Sequence, residues 1–181
     1  MKILKGVLGI LAAFVIGFFL VGFFVPTFTY LSKVVVDKPV GEAFAIFNDE
    51  SRLGEWLAGF KSIESVSGEP NQVGSTYKLV IEDEGEVMEM MGTVTAFVEN
   101  ELLSFHLVND VMTVDTDIRF VSQGDRTEIT ATQKVEGRNL FWKSLLPLFQ
   151  SVITQKSQEN YDRLKTVIEA TTLEPAPDTD S

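Results

Sequence analysis

A chain of 181 residues with 45% hydrophobic content suits one folded domain plus an accessory segment. Its net charge of −11 argues against nucleic acid, where phosphate contacts need clustered Lys and Arg, and equally against lying flat on anionic lipid. The absence of cysteine excludes disulfides, Cys-ligated metal, a thiol nucleophile and lipoprotein acylation.

From Gly6 to Val25 no side chain is charged or strongly polar, and about twenty such residues match the hydrocarbon thickness of a bilayer. Ala12 and Ala13 come too early for a signal-peptide cleavage site, and Phe23-Phe24-Val25-Pro26 has no A-x-A pattern. An uncleaved, single-pass signal anchor over residues 1–26, contacting the membrane through residues 3–25, is therefore expected. Lys2 and Lys5 flank its start, whereas Lys33 and Lys38 lie farther out and mix with Asp37. This places the N-terminus in the cytoplasm and the remainder outside it. Gly9, Ala13 and Gly17 repeat every four residues, a spacing that serves a weak homodimer or merely reflects how common small residues are in such helices.

Pro26 and Thr27 leave almost no linker before an extended run, Phe28 to Asp37, rich in β-branched and aromatic residues. Pro39 suits a helix start, and Val40, Ala43, Phe44 and Phe47 have helical spacing. A second short helix over roughly Glu50 to Leu57 carries Leu53 and Trp56 and ends at Gly59.

Between Phe60 and Glu136 the hydrophobic period becomes two, with turn signals at Gly68–Gly74, Asp83–Gly85, Glu99–Glu101, Asn109–Asp110 and Gln123–Asp125. These marks divide the region into six strands. Met112, Val114, Ile118 and Phe120, for example, alternate with Thr113, Asp115, Asp117 and Arg119, as in an antiparallel meander with one apolar and one wet face. Glu82, Asp83, Glu84 and Glu86 around Gly85 lack EF-hand spacing and read as a solvated hairpin tip.

A long helix is predicted from Asn139 to about Ala170. At 100° per residue, Trp142, Leu145, Leu146, Phe149, Val152, Ile153, Leu164, Val167 and Ile168 share one face, with Lys143, Gln150, Thr154, Gln158, Asp162, Lys165 and Glu169 opposite. Pro147 interrupts it on the solvent side. Lys156 and Asn160 fall in the apolar stripe, with Ser157 and Arg163 on its margins. Either they orient a ligand's polar group in a cavity under the helix, or Lys156 lays its stem on the core with its ammonium in water and Asn160 bonds backbone. The tail over 171–181 has disordered composition.

This order of elements resembles the START-like or Bet v 1-like (SRPBCC) superfamily, particularly its polyketide cyclase/dehydrase and lipid transport branch. The matching words are Val34 to Pro39 leading into Phe44 and Phe47, then Asp49, Trp56, Gly59-Phe60, Ile63, Gly74-Ser75-Thr76-Tyr77, Glu128-Ile129-Thr130 and Leu164. The resemblance implies an α+β helix-grip fold over residues 27–170. A curved antiparallel sheet of about seven strands wraps the long C-terminal helix, with two short helices after the first strand and an internal cavity for lipids or other hydrophobic molecules.

The cavity residues expected are Trp56, Tyr77, Leu79, Met88, Met90, Met112, Val114, Phe149, Ile153, Lys156 and Asn160. The methionines adapt to irregular ligands and equally fill cores; Tyr77 and Trp56 offer a hydroxyl and an indole N–H, or simply pack. His106, the only histidine, alternates away from the apolar set and has no catalytic word beside it. Neither metal nor cofactor is called for. The expected function is a membrane-tethered binding protein for a lipid or other hydrophobic molecule. A cyclase or dehydratase using the same cavity, or an interaction module with the cavity filled, are the alternatives.

Overall fold

The computed structural model describes residues 2–83 and 85–172; Glu84 of the acidic hairpin tip and most of the 171–181 tail lie outside them. Helix α1 (Lys2–Phe24) is followed almost at once by strand β1 (Thr27–Val36) and helix α2 (Val40–Phe47). A 3-10 turn (Glu50–Arg52) and helix α3 (Leu53–Trp56) lead into six strands: β2 (Phe60–Ser67), β3 (Thr76–Asp83), β4 (Glu86–Val98), β5 (Leu102–Val108), β6 (Met112–Ser122) and β7 (Thr127–Gly137). The chain closes with α4 (Leu140–Leu145), a 3-10 turn (Leu146–Phe149) and α5 (Gln150–Ala170).

All strand pairs are antiparallel, in the order β1-β7-β6-β5-β4-β3-β2. This is the helix-grip arrangement expected from the sequence. Alternation sets the faces: Val114, Thr116, Ile118 and Phe120 of β6 are buried, while Asp115, Asp117 and Arg119 are exposed. Inside the curve, one apolar cluster joins Val36, Phe44, Phe47, Phe120 and Ile129 to Leu164 and Ile168 of α5. A second, nearer the start of β1, joins Phe28, Met90, Val114 and Val135 to Leu146.

The sheet leaves β1 as an open edge, and α5 covers it with side chains. Gln158 accepts from Lys33 N at 3.1 Å and donates to Lys33 O at 3.1 Å; Glu169 accepts from Asp37 N at 3.0 Å. Lys165 Nζ donates to Val35 O. Three residues that helical periodicity assigns to the solvent face thus satisfy backbone groups that would otherwise template intermolecular pairing.

The long helix is not continuous. Pro147 has no N–H to give the carbonyl of Lys143 and its ring crowds that turn, so Leu146–Phe149 winds as a 3-10 segment. Each such residue turns about 20° more than an α-helical one, which rotates everything after it relative to α4. The buried face of α5 is consequently Ser157, Tyr161, Leu164 and Ile168, whereas Phe149 and Val152 remain half exposed.

Gly59 joins α3 to β2 with φ +74°, and its carbonyl accepts from Glu82 N at 2.8 Å. A Cβ there would overlap the Glu82 carbonyl oxygen and stand 3.1 Å from Ile81 Cγ2. Gly59→Ala combines left-handed strain with a backbone clash, so a loss of about 3 kcal/mol is expected, seen as a Tm lower by roughly 6–12 °C in a thermal melt. An unchanged melt contradicts this account.

Helix α1 contains a stretch, Leu4–Phe24, long and apolar enough by length and composition to cross a membrane. A Cβ on Gly9 or Gly17 would meet no atom within 4 Å. The glycine used for close packing is Gly22. A Cβ there would overlap Ser144 Oγ and lie 2.6 Å from Ser144 N and 2.9 Å from the Leu140 carbonyl.

Candidate functional site

Between the two apolar clusters, α5 does not close on the sheet, and an internal cavity of about 350 Å³ remains. Its floor comes from inward residues of β1 to β7 and its roof from α2, α3 and α5. Of the residues expected from sequence, Trp56, Tyr77, Leu79, Met88, Met90, Met112, Val114, Ile153 and Asn160 line it.

Two do not. Phe149 closes the 3-10 turn and is 51% exposed, because the extra rotation at Pro147 carries it off the inner face. Lys156 projects past the end of β3, where its ammonium bonds Asp83 Oδ2, and the two side chains are 52% and 59% exposed. It lies one position before Ser157, which takes the inward place on the helix. Asn160 lines the cavity but spends its Oδ1 on Ala58 N, at 3.1 Å, which fastens the chain after α3 to α5.

Of the polar groups that converge there, Tyr77 is expected from the sequence, while Tyr30, Tyr161 and Gln133 are not. All three tyrosines of the chain, Tyr30, Tyr77 and Tyr161, line the cavity. Tyr30 hydroxyl donates to Gln133 Oε1 at 2.8 Å, Gln133 Nε2 donates to Ser157 Oγ at 2.8 Å, and Ser157 Oγ shares a 2.9 Å hydrogen bond with buried Ser32. This relay joins β1, β7 and α5. Tyr77 is opposite Gly92 in the β3–β4 register, and a Cβ on Gly92 would overlap the phenol ring. Glycine at that position lets the ring lie flat against the sheet beside the cavity.

Burial pushes the Tyr30 hydroxyl up to about 12, tempered by its contact with Ser157. Burial also raises Tyr161, with Tyr30 adding repulsion, and raises Tyr77, with the Glu50 carboxylate adding repulsion. At neutral pH the cavity therefore presents three uncharged hydroxyls, each able to donate and accept. Among the described lining residues Glu50 is the sole carboxylate, and none is Lys, Arg or His. His106 lies outside, with Nδ1 2.6 Å from Asp115 Oδ1 on the neighbouring strand.

The alternation of β1 contains the missed signal: Phe28, Tyr30, Ser32, Val34 and Val36 are its inward set. On α5 the spacing Ile153, Ser157, Tyr161, Leu164, Ile168 is the corresponding helical stripe. Both signals become readable only when polar residues are allowed onto an inner face.

Solved structures of the same architecture include Ara h 8.0201, with TM-score 0.64 and 14% identity over 80% of this chain and 99% of that one. The Zhui aromatase/cyclase from a Streptomyces species gives 0.67 and 11% over 79% and 94%. Norcoclaurine synthase from Thalictrum flavum, in complex with dopamine and hydroxybenzaldehyde, gives 0.57 and 14% over 81% and 90%. At such identities the likeness is one of fold. No curated protein matches the sequence. The family model described as Activator of Hsp90 ATPase homolog 1-like protein matches residues 37–169, from the end of β1 to the last turn of α5. With that match and the helix-grip fold around an internal cavity, the chain belongs to the Activator of Hsp90 ATPase homolog 1-like protein family of the START-like, Bet v 1-like superfamily.

Proposed function

We propose that this protein holds a lipid or similarly hydrophobic small molecule in the cavity under α5, and does so while anchored to a membrane by α1. The observation that carries the reading is the combination of an apolar enclosure with a few neutral polar groups at fixed positions, the usual composition of small-molecule sites. Apolar contact supplies most of the affinity, at roughly 25 cal/mol per Å² before ordering and desolvation costs. The hydroxyls of Tyr30, Tyr77 and Tyr161 then select a ligand with a neutral hydroxyl, carbonyl or ester.

A volume of about 350 Å³ lies near the lower end of the roughly 300–1,000 Å³ usual for such sites. It suits one acyl chain or a small ring system, and is too small for both chains of a phospholipid. With Lys156 paired to Asp83 outside the cavity, an anionic headgroup has no cation among the described lining residues to meet it. The proposal accordingly moves ligand selection from Lys156 to the tyrosines. An open void also weighs against an interaction module with a filled core.

Catalysis is favoured by one observation, a carboxylate in the cavity lining, Glu50, near enough to Tyr77 to disfavour its phenolate. A cyclase-like reaction would use Glu50 as base to take a proton from the carbon between two carbonyls; that carbon forms the new bond to a further carbonyl carbon, whose oxygen, hydrogen-bonded by Tyr77, receives the proton back. Turnover of an aromatic polyketone by the wild-type chain and its loss in Tyr77→Phe is the result that would promote this reading.

The binding proposal is tested by solvent extraction and mass spectrometry of the purified full chain. One apolar molecule per chain is expected. A chain that yields none, even after incubation with a total lipid extract, removes the binding reading.

A further inference from the structure

Leu140–Ile153, the stretch from α4 into the first turn of α5, contains one charged residue, Lys143, whose ammonium is 2.6 Å from Glu136 on β7. Leu140, Phe141, Leu148, Phe149 and Val152 of this stretch are each between 47% and 61% exposed. Single exposed apolar residues are ordinary, but a run of them forms a patch that needs a partner. The patch abuts α1: the rings of Phe18 and Phe141 are 5.8 Å apart, and Gly22 packs on Ser144.

This contact fixes the depth of α4. The apolar part of α1, Leu4–Phe24, has 21 residues, about 31 Å of helix at 1.5 Å per residue, against a hydrocarbon core of about 30 Å. The helix has no spare turn to lift out of the bilayer. Phe18 is six residues before Phe24 and therefore about 9 Å inside; Phe141, touching it, must share that depth.

We propose that α4 and the following 3-10 turn are embedded in the same bilayer leaflet as the C-terminal half of α1, their exposed apolar side chains covered by acyl chains. The inference rests on reading α1 as a membrane span. Charge complementarity is not required, because the patch is uncharged on its outer side and the acidic surface of the domain stays in water. The patch ends at Val152, next to Ile153 in the cavity lining, and Leu146 of the same turn belongs to the apolar cluster that holds Met90 and Val114. Embedding it brings the Ile153 and Met112 end of the cavity to the membrane surface, so the ligand is a molecule drawn sideways from the acyl region and not one captured from water.

The chain has two tryptophans, Trp56 in the cavity wall and Trp142 in α4. Full-length Trp56→Phe, reconstituted in phosphatidylcholine vesicles, leaves Trp142 as the reporter. With lipids brominated on the upper acyl carbons its emission should fall by about half, as for a ring roughly 5–10 Å below the headgroups. Trp56→Phe/Trp142→Phe/Leu148→Trp should report the same from the exposed 3-10 turn. A chain that survives alkaline carbonate washing with both reporters unquenched overturns the embedding and leaves the span intact. Unquenched reporters together with self-crosslinking assign the patch to a second copy instead. A chain washed off by carbonate removes the span reading, and the embedding with it.

Discussion

Replacing Leu107 with Trp and Val114 with Phe together is expected to empty the protein of its ligand while leaving it folded. The two residues face each other across β5 and β6, and both line the cavity. In a close-packed core, adding this bulk would cost about 1–3 kcal/mol in displaced side chains. Here the rings have a void of about 350 Å³ to enter, so much of that cost is offset by burying their own apolar surface. Extraction of the double variant should recover about tenfold less bound molecule than the wild type, with the melting temperature changed by only a few degrees. A variant that retains stoichiometric ligand shows that the cavity is not where the ligand sits. The same variant distinguishes cavity ligand from lipid carried along on α1, which the substitutions do not touch.

The second large effect is a loss of stability at alkaline pH. Tyr30 has its pKa raised from 10.0 to about 12 in the fold, chiefly by burial. Its contribution is fully present below pH 10 and lost between pH 10 and about 12, because over that window the unfolded chain has released a proton that the folded chain retains. Two pH units correspond to as much as about 3 kcal/mol, and Tyr77 and Tyr161, also raised by burial, extend the loss at higher pH. Phenolate absorbance followed with far-ultraviolet circular dichroism checks this. The three tyrosines should ionise together with unfolding, and Tyr30→Phe should flatten the pH dependence of stability between pH 10 and 12. Tyrosines that ionise near pH 10 in a chain still folded would contradict their burial.

Much of this architecture was legible from periodicity. The inward set of β6, Val114, Ile118 and Phe120, is the set that alternation selects, because one-sided burial of an antiparallel sheet forces that pattern. The turns after Ser67, Asp83, Val98, Val108 and Ser122 fall where Gly, Asn and Asp cluster. Phe149 and Lys156 lie off the cavity for a local reason. Projecting an unbroken 100° period across Pro147 ignores the extra rotation of a 3-10 turn, and an error of that kind persists through every later residue of the projection. Ser157 falls only on the margin of the predicted stripe, and Tyr161 outside it, because apolar residues alone define that face, although a buried polar relay is compatible with an inner face once each member has a partner. Gln158, Lys165 and Glu169 were assigned to solvent because nothing in a helical period reveals an unpaired strand edge beside it.

The junction of α1 with β1 has a further consequence. Val25 N still bonds Val21 O, Pro26 follows, and Thr27 already pairs with Glu136. A tether of this kind has essentially no reach. With α1 in a bilayer, the domain cannot swing out to a second membrane or to a distant acceptor, since a flexible linker gains only about 5–6 Å times the square root of its length, and here that length is near one residue. For a chain so anchored, delivery by shuttling between compartments is closed. On the proposed reading, a ligand held in the cavity would exchange with the surrounding lipids, or with a partner that diffuses to the protein in the plane, where confinement raises the effective concentration of both. Inserting a long Gly-Ser segment after Pro26 changes that kinetic situation without altering the cavity: release to a second vesicle, negligible for the native chain, becomes geometrically possible.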